Sequence, residues 1–208
     1  MQFTQRDAEI ITFIAKHKFA TAEQVAEYME ISLKGAYRRL KILVDNKYLY
    51  HERIFLQRPG VYYPSRKGVS ASGCEIKPIK ELPLGTYNHD IKHVDLSIYY
   101  HKEGYSVKTE REMKMDLRWE IGQSGKVEHL PDLILSSCDN KIAVELELSK
   151  KSPARLQKII NYYKRQRHYD EVWYLVEKEK VKRKLEEHIG GTEHIQVYFW
   201  SDADGRTG

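Results

Sequence analysis

Along the first part of the chain, apolar residues recur at helical spacing in three successive stretches, each opened by a hydroxyl residue able to cap a helix. In "FTQRDAEIITFIAKH", Thr4 precedes a run that places Ile10, Phe13 and Ile14 on one side, which predicts an amphipathic helix ending near Lys18. "ATAEQVAEYM" restarts with Thr21 and Gln24 in capping-box positions and turns Val25 and Tyr28 or Met29 inward. After "EIS", Ser32 caps "LKGAYRRLKILVDNK", where Ala36, Leu40, Leu43 and Val44 form an inward stripe. Lys34, Tyr37, Arg38 and Lys41 fall on the outer side of this third helix. The period then shortens: "YLYHERIFLQRPGVYYPS" reads as a strand, the turn "QRPG" and a second strand, which predicts a β-hairpin.

"CEIKPIKELPLGT" interrupts the pattern with two prolines and a glycine and reads as an interdomain linker, residues 74–86, separating a domain at 1–73 from one at 87–201. The second domain opens with "NHDIKHVDLSIYYHKEG", a helix capped by Asn88, with Ile91, Val94 and Ile98 on one face and Gly104 ending it. Strand patterns follow at "YSVKTER", at "MKMDLRWEIG" and "VEHLPDLILS" joined by the turn "QSGK", and at "KIAVELELSK". "SPARLQKIINYYKRQRHY" is a helix with Pro153 at its first position. Strand "EVWYLV", helix "KEKVKRKLEEHI" and strand "IQVYFW" complete the order, and 202–208 is left as a flexible tail. The alternation predicts an α/β (α+β) chain whose second domain is a mixed sheet flanked by helices.

Composition changes this picture little. Hydrophobic residues make up 41%, charged residues 31% and aromatic residues 11%, with 15 tyrosines, as in an ordered soluble protein. No apolar run spans a bilayer, and "MQFTQRDAEI" lacks the layout of a signal peptide, so the expectation is a cytoplasmic protein without a membrane partner. Cys74 and Cys138 have no CxxC companion and are expected to be buried free thiols. Charge changes the picture more. Residues 1–73 hold 12 Lys+Arg against 7 Asp+Glu, whereas residues 74–208 hold 23 of each, so the whole excess of +5 lies in the first third. A local basic excess suits a module that gains binding free energy by displacing counterions from phosphates.

Three helices, tight turns and a hairpin over residues 4 to about 73 resemble the winged helix-turn-helix family, with Ser32 to Lys47 matching the recognition helix. The resemblance implies double-stranded DNA as partner. It places Ser32, Lys34, Tyr37, Arg38 and Lys41 nearest bases or phosphates in the major groove, and Arg58 near the hairpin tip against the backbone or minor groove. Such docking needs no cofactor and is compatible with a homodimer across a two-fold operator.

Candidate chemistry lies in "VEHLPDLILSSCDNKIAVELELSKK". Period-two alternation points Ile142, Val144, Leu146 and Leu148 one way and Lys141, Ala143, Glu145 and Glu147 the other. A hairpin through "SSCDN" brings Asp132 beside Glu145. Three neighbouring carboxylates repel unless something positive sits among them, and hard oxygen ligands suit Mg²⁺ or Mn²⁺, which activates water for phosphodiester displacement. The bland alternative is a solvent-facing strand surface on which Glu145 and Glu147 meet Lys or Arg.

"LPDLIL" followed by "AVELELSKK", with helix and strand on either side, resembles the PD-(D/E)XK nuclease superfamily. Pro131 and Asp132 match its first half-motif and Glu145 its second acidic residue. The resemblance implies Asp132, Glu145 and Glu147 as metal ligands and catalytic residues, with Lys150 as the nearby charge stabiliser. Where the family pattern has Lys, this chain has Glu147, which implies nuclease chemistry that is reduced or lost. An N-terminal winged helix joined to such a domain, with the motifs "NHDIKHVDL", "LPDLIL" and "VELELS", resembles the replication-relaxation proteins of bacterial plasmids and integrative elements. That resemblance implies DNA binding in transcription regulation or in plasmid replication and transfer. A divalent-metal endonuclease is the enzymatic alternative, and an assembly module the third. His89 and His93 share a helical face but lack a third ligand for zinc, and the absence of an "HxH" cluster sets the tyrosines apart from covalent DNA chemistry.

Overall fold

Capping chemistry sets the first three helices in the computed structural model, which describes residues 2–120, 128–138, 140–148, 152–166 and 168–200. Thr4 accepts the Asp7 N–H and Asp7 accepts the Thr4 N–H at the start of α1 (Gln5–Lys16). Thr21 and Gln24 form the same reciprocal box on α2 (Ala22–Tyr28). Ser32 Oγ accepts the Gly35 N–H, 3.2 Å away, at the start of α3 (Leu33–Asp45). Each helix is left through a residue in the left-handed region, Lys18, Glu30 and Lys47, positions where glycine is usual. After α2 and α3 the following N–H reaches back five residues, Ile31 to Ala26 and Tyr48 to Leu43, and satisfies a terminal carbonyl.

The predicted hairpin forms from β2 (Leu49–Glu52) and β3 (Val61–Pro64), paired antiparallel from Leu49 opposite Pro64 to Glu52 opposite Val61. A two-residue strand β1 (Ala20–Thr21) pairs on the other side of β3. Helix α4 (Arg66–Ser72) follows, and Gly68 lets its backbone approach Tyr48: a Cβ there would lie 2.1 Å from the Tyr48 carbonyl oxygen. The core of this unit combines Ile10, Phe13 and Ile14 of α1, Val25 of α2 and Ala36, Leu40 and Leu43 of α3.

The chain divides into compact units at Met1–Ile98 and Tyr99–Gly208, later than the expected linker. Residues 74–86 are anchored in the first unit. Ile76 is buried, and Ile79 and Leu82 pack on a cluster of Phe19, Val61, Tyr63 and Tyr87, so apolar residues at spacing three outweigh the proline signal. Helix α5 (Tyr87–Lys102) follows a 3₁₀ turn at Leu84–Thr86 and sends Val94 and Ile98 into the α1–α3 core. Asn88 lies within α5 instead of capping it, and Gly104 stands just beyond its end with φ +88°. Cys74 is half-buried and Cys138 exposed, both free, in contrast to the buried thiols expected.

In the second unit five strands run in the order β4 (Ser106–Thr109), β5 (Leu133–Ser136), β6 (Lys141–Glu147), β7 (Glu171–Val176) and β8 (Ile195–Phe199). The first three are antiparallel and β6, β7 and β8 parallel, joined by the crossover helices α7 (Pro153–Arg165) and α8 (Glu179–Ile189). This is a mixed sheet with helices, as alternation of the elements predicts. One strand prediction fails. "MKMDLRWEIG" lies mostly in α6 (Glu110–Glu120), because Thr109 and Glu112 exchange side-chain to backbone hydrogen bonds of 3.3 and 2.9 Å and open a helix there. The predicted turn "QSGK" and the 202–208 tail lie outside the described residues. No helix among the described residues is long and apolar enough to cross a membrane.

Candidate nucleic-acid interface and buried carboxylates

Helix α3 exposes the basic face that its pattern predicts. Ala36, Leu40 and Leu43 are buried, whereas Ser32, Lys34, Tyr37, Arg38 and Lys41 are exposed. Among the described residues Lys34, Arg38 and Lys41 make no ion pair or side-chain hydrogen bond. Their charges face water uncompensated. Tyr37 instead donates its hydroxyl to Glu23 of α2 over 3.0 Å, and burial together with that carboxylate raises the phenol above its ordinary range.

A fourth cation of α3, Arg39, which the sequence pattern does not single out, is committed inward. Its Nε lies 2.5 Å from Asp7 Oδ1 and its Nη2 meets Asp7 Oδ2, a two-pronged ion pair from α3 to α1. Burial alone would raise the Asp7 carboxyl, but the Arg39 and Thr4 hydrogen bonds overcome it and hold the group below the ordinary carboxylate range. The pair orients α3 against α1. Arg58, in the connection between β2 and β3, is exposed but engaged: Nη1 lies 2.5 Å from Asn88 Oδ1, and the guanidinium sits 5.8 Å from the ring centres of Phe55 and Tyr87. His93 meets His17 as well as His89, with the two Nδ1 atoms of His17 and His93 3.4 Å apart.

In the second unit the strand register joins the predicted acids. Leu133 pairs with Val144, so Asp132 stands next to Glu145 on the neighbouring strand, and the Leu146 N–H donates to Asp132 Oδ2 over 2.8 Å. The face is not the solvent-facing surface of the bland reading. Ala143, Glu145 and Glu147 are buried, the two acids only 2% and 4% exposed, because Leu156, Ile160 and Tyr163 of α7 pack on this side of β6 and β7. Burying a carboxylate demands hydrogen-bond donors. Glu145 Oε1 receives two: the Tyr163 hydroxyl at 2.5 Å and His129 Nε2 at 2.6 Å. His129 also sets its ring edge-on to Tyr162 and Tyr163. Neither partner is apparent from the strand pattern, since both arrive through tertiary packing.

Tyr174 lies opposite Glu145 in the parallel register, and burial followed by the charges of Glu145, Glu147 and Asp132 pushes its phenol upward. Its hydroxyl is buried and has no hydrogen-bond partner among the described residues. The same combination of burial and the Glu145 charge raises Tyr163. One phenol thus senses all three acids. Two of the acid oxygens are engaged by the protein itself, Glu145 Oε1 by two side-chain donors and Asp132 Oδ2 by a backbone N–H. Among the described residues no group of three His, Cys, Asp or Glu side chains is arranged to hold a metal. Lys150, the expected charge stabiliser, lies outside the described residues.

The chain is thus a mixed α/β protein of two compact units, the first with an exposed cationic helix and the second with a buried, hydrogen-bonded acidic cluster. No family model, no curated protein and no solved structure matches it.

Proposed function

We propose that this chain is a DNA-binding protein: its first unit works as a winged helix-turn-helix module on double-stranded DNA, and its second is a PD-(D/E)XK-like domain without nuclease turnover. The observation that carries the reading is the outer face of α3, where Lys34, Arg38 and Lys41 stand exposed with no acidic partner among the described residues. Three uncompensated cations on one helix face release counterions when they meet phosphates. The charge division agrees: residues 1–98 hold 15 Lys+Arg against 11 Asp+Glu, net +4, and residues 99–208 hold 20 against 19, net +1.

For the second unit, occupation of Glu145 by Tyr163 and His129 and the presence of Glu147 at the family's Lys position support loss of metal-dependent cleavage. The role that follows from the sequence resemblance is transcription regulation, or control of replication or transfer, on a mobile genetic element.

Titration of a labelled duplex across salt concentrations tests the reading. Affinity of the wild type falls steeply with salt, and the Lys34→Ala, Arg38→Ala, Lys41→Ala triple variant loses about 0.9 of log-log slope for each phosphate contact removed. Salt-independent binding, or an unchanged triple variant, rejects it. Nicking of supercoiled plasmid with Mn²⁺, abolished in Glu145→Ala, would establish the endonuclease alternative instead.

A further inference from the structure

Beside the exposed face of α3 lies an open groove of about 840 Å³, lined by Ile31 and Ile42 and by Thr4, Arg6, Ser32 and Arg38. Arg6 belongs to α1, outside the helix to which DNA contact is assigned. It is exposed, and neither it nor Arg38 makes an ion pair or side-chain hydrogen bond among the described residues. Its position is electrostatically odd. Arg6 stands in the first turn of α1, where the helix dipole disfavours a cation. The neighbouring carboxylate, Asp7, is fully buried and spent on Arg39, which leaves the groove with two uncompensated guanidinium groups. No ion pair among the described residues holds Arg6, which leaves its guanidinium available to an external anion.

The lining also has an apolar component. A bare inorganic anion makes no use of Ile31 and Ile42, whereas a sugar–phosphate strand alternates anionic groups with deoxyribose surface and uses both. Ser32 and Arg38 belong at once to this groove and to the face proposed to meet the duplex, so the two surfaces are continuous.

We infer that this groove seats one sugar–phosphate strand of the bound DNA, with Arg6 and Arg38 pairing with backbone phosphates and Ile31 and Ile42 lying against deoxyribose. The inference rests on the docking of α3 proposed above and adds Arg6 as a contact that positions the duplex without reading its sequence.

Three single variants of the full chain test it on a labelled duplex of random sequence: Arg6→Ala, Arg6→Lys and, as a control of equal charge change, Arg66→Ala, an exposed cation that does not line the groove. Arg6→Ala lowers affinity several-fold and reduces the salt slope by about 0.9, the value for one phosphate contact on B-DNA. Arg6→Lys keeps the wild-type slope, and Arg66→Ala stays within about two-fold of wild type, the scale of an indirect charge effect. The exposed, unpaired Arg6 side chain leaves folding intact, which thermal unfolding of the variant verifies. If Arg6→Ala matches wild type, or Arg66→Ala loses as much, the groove assignment is overturned, while loss of binding in the α3 triple variant still upholds docking. Displacement of the duplex by poly-glutamate at equal charge concentration would assign the groove to an acidic protein segment and overturn the DNA-strand assignment. A wild type that fails to bind DNA in a salt-dependent way removes the docking reading itself.

Discussion

Tyr163 of α7 donates its hydroxyl to Oε1 of Glu145, 2.5 Å away on the central strand β6. The bond ties helix to sheet at a buried carboxyl oxygen, and His129 Nε2 reaches the same oxygen from 2.6 Å. Tyr163→Phe leaves the aromatic packing intact and removes one donor. The expected loss is about 1–3 kcal/mol, the range for a buried acceptor deprived of a charged hydrogen bond. Trp119, Trp173 and Trp200 all belong to the second unit, so tryptophan fluorescence in a urea titration reads this loss without interference from the first.

The Asp7–Arg39 pair makes the first unit acid-sensitive. The Asp7 carboxyl is held below its ordinary value of 3.8, so the folded state binds its proton less readily than the unfolded chain. Its stabilisation is therefore complete above that value and is lost as pH falls through the lower, folded one. Arg39→Leu strands a buried carboxylate and costs toward the lower end of about 3–5 kcal/mol, since Arg39 itself remains 26% exposed. Far-UV circular dichroism followed through denaturant and acid titrations checks both: wild type loses its advantage over the variant only on acidification.

At the alkaline end, burial and then the Glu52 hydrogen bond raise Tyr63 to about 12, and burial raises Tyr169 to about 12. A phenol that titrates later when folded stabilises the protein fully below its ordinary value of 10.0, and that contribution disappears as pH climbs through about 12. Ultraviolet titration should resolve phenolates forming late, with one fewer near pH 12 in Tyr63→Phe.

Backbone geometry predicts opposite signs for two glycine exchanges. Lys47 holds φ +61° with an exposed side chain, so Lys47→Gly relieves left-handed strain and stabilises by about 0.5–1 kcal/mol. Gly68→Ala drives a methyl to 2.1 Å from the Tyr48 carbonyl oxygen, a backbone atom, and costs about 1–3 kcal/mol as α4 shifts. Thermal melts that moved both variants in the same direction would contradict this account.

The caps of α1, α2 and α3 were legible because capping is local: Thr4, Thr21 and Ser32 each bond an N–H three residues on. The same local rule opens α6 at Thr109 and Glu112, but alternating Met113, Met115, Leu117 and Trp119 imitate a strand in the sequence there. Proline and glycine made residues 74–86 look like a linker, since the anchoring of Ile76, Ile79 and Leu82 depends on Phe19, Val61 and Tyr63, which are remote in sequence.

Periodicity and charge distribution alone determined that Lys34, Arg38 and Lys41 share one face of a helix and that Glu145 and Glu147 share one face of a strand. They could not determine which faces become covered, because a repeat says which side chains lie together and nothing about what packs on them. That was decided by α7 arriving over β6 with Tyr163, by the strand register that sets Asp132 beside Glu145, and by His129 closing on the same oxygen. The two acids therefore ended in the interior, where desolvation requires donors, and Lys34, Arg38 and Lys41 stayed in water, where they need none.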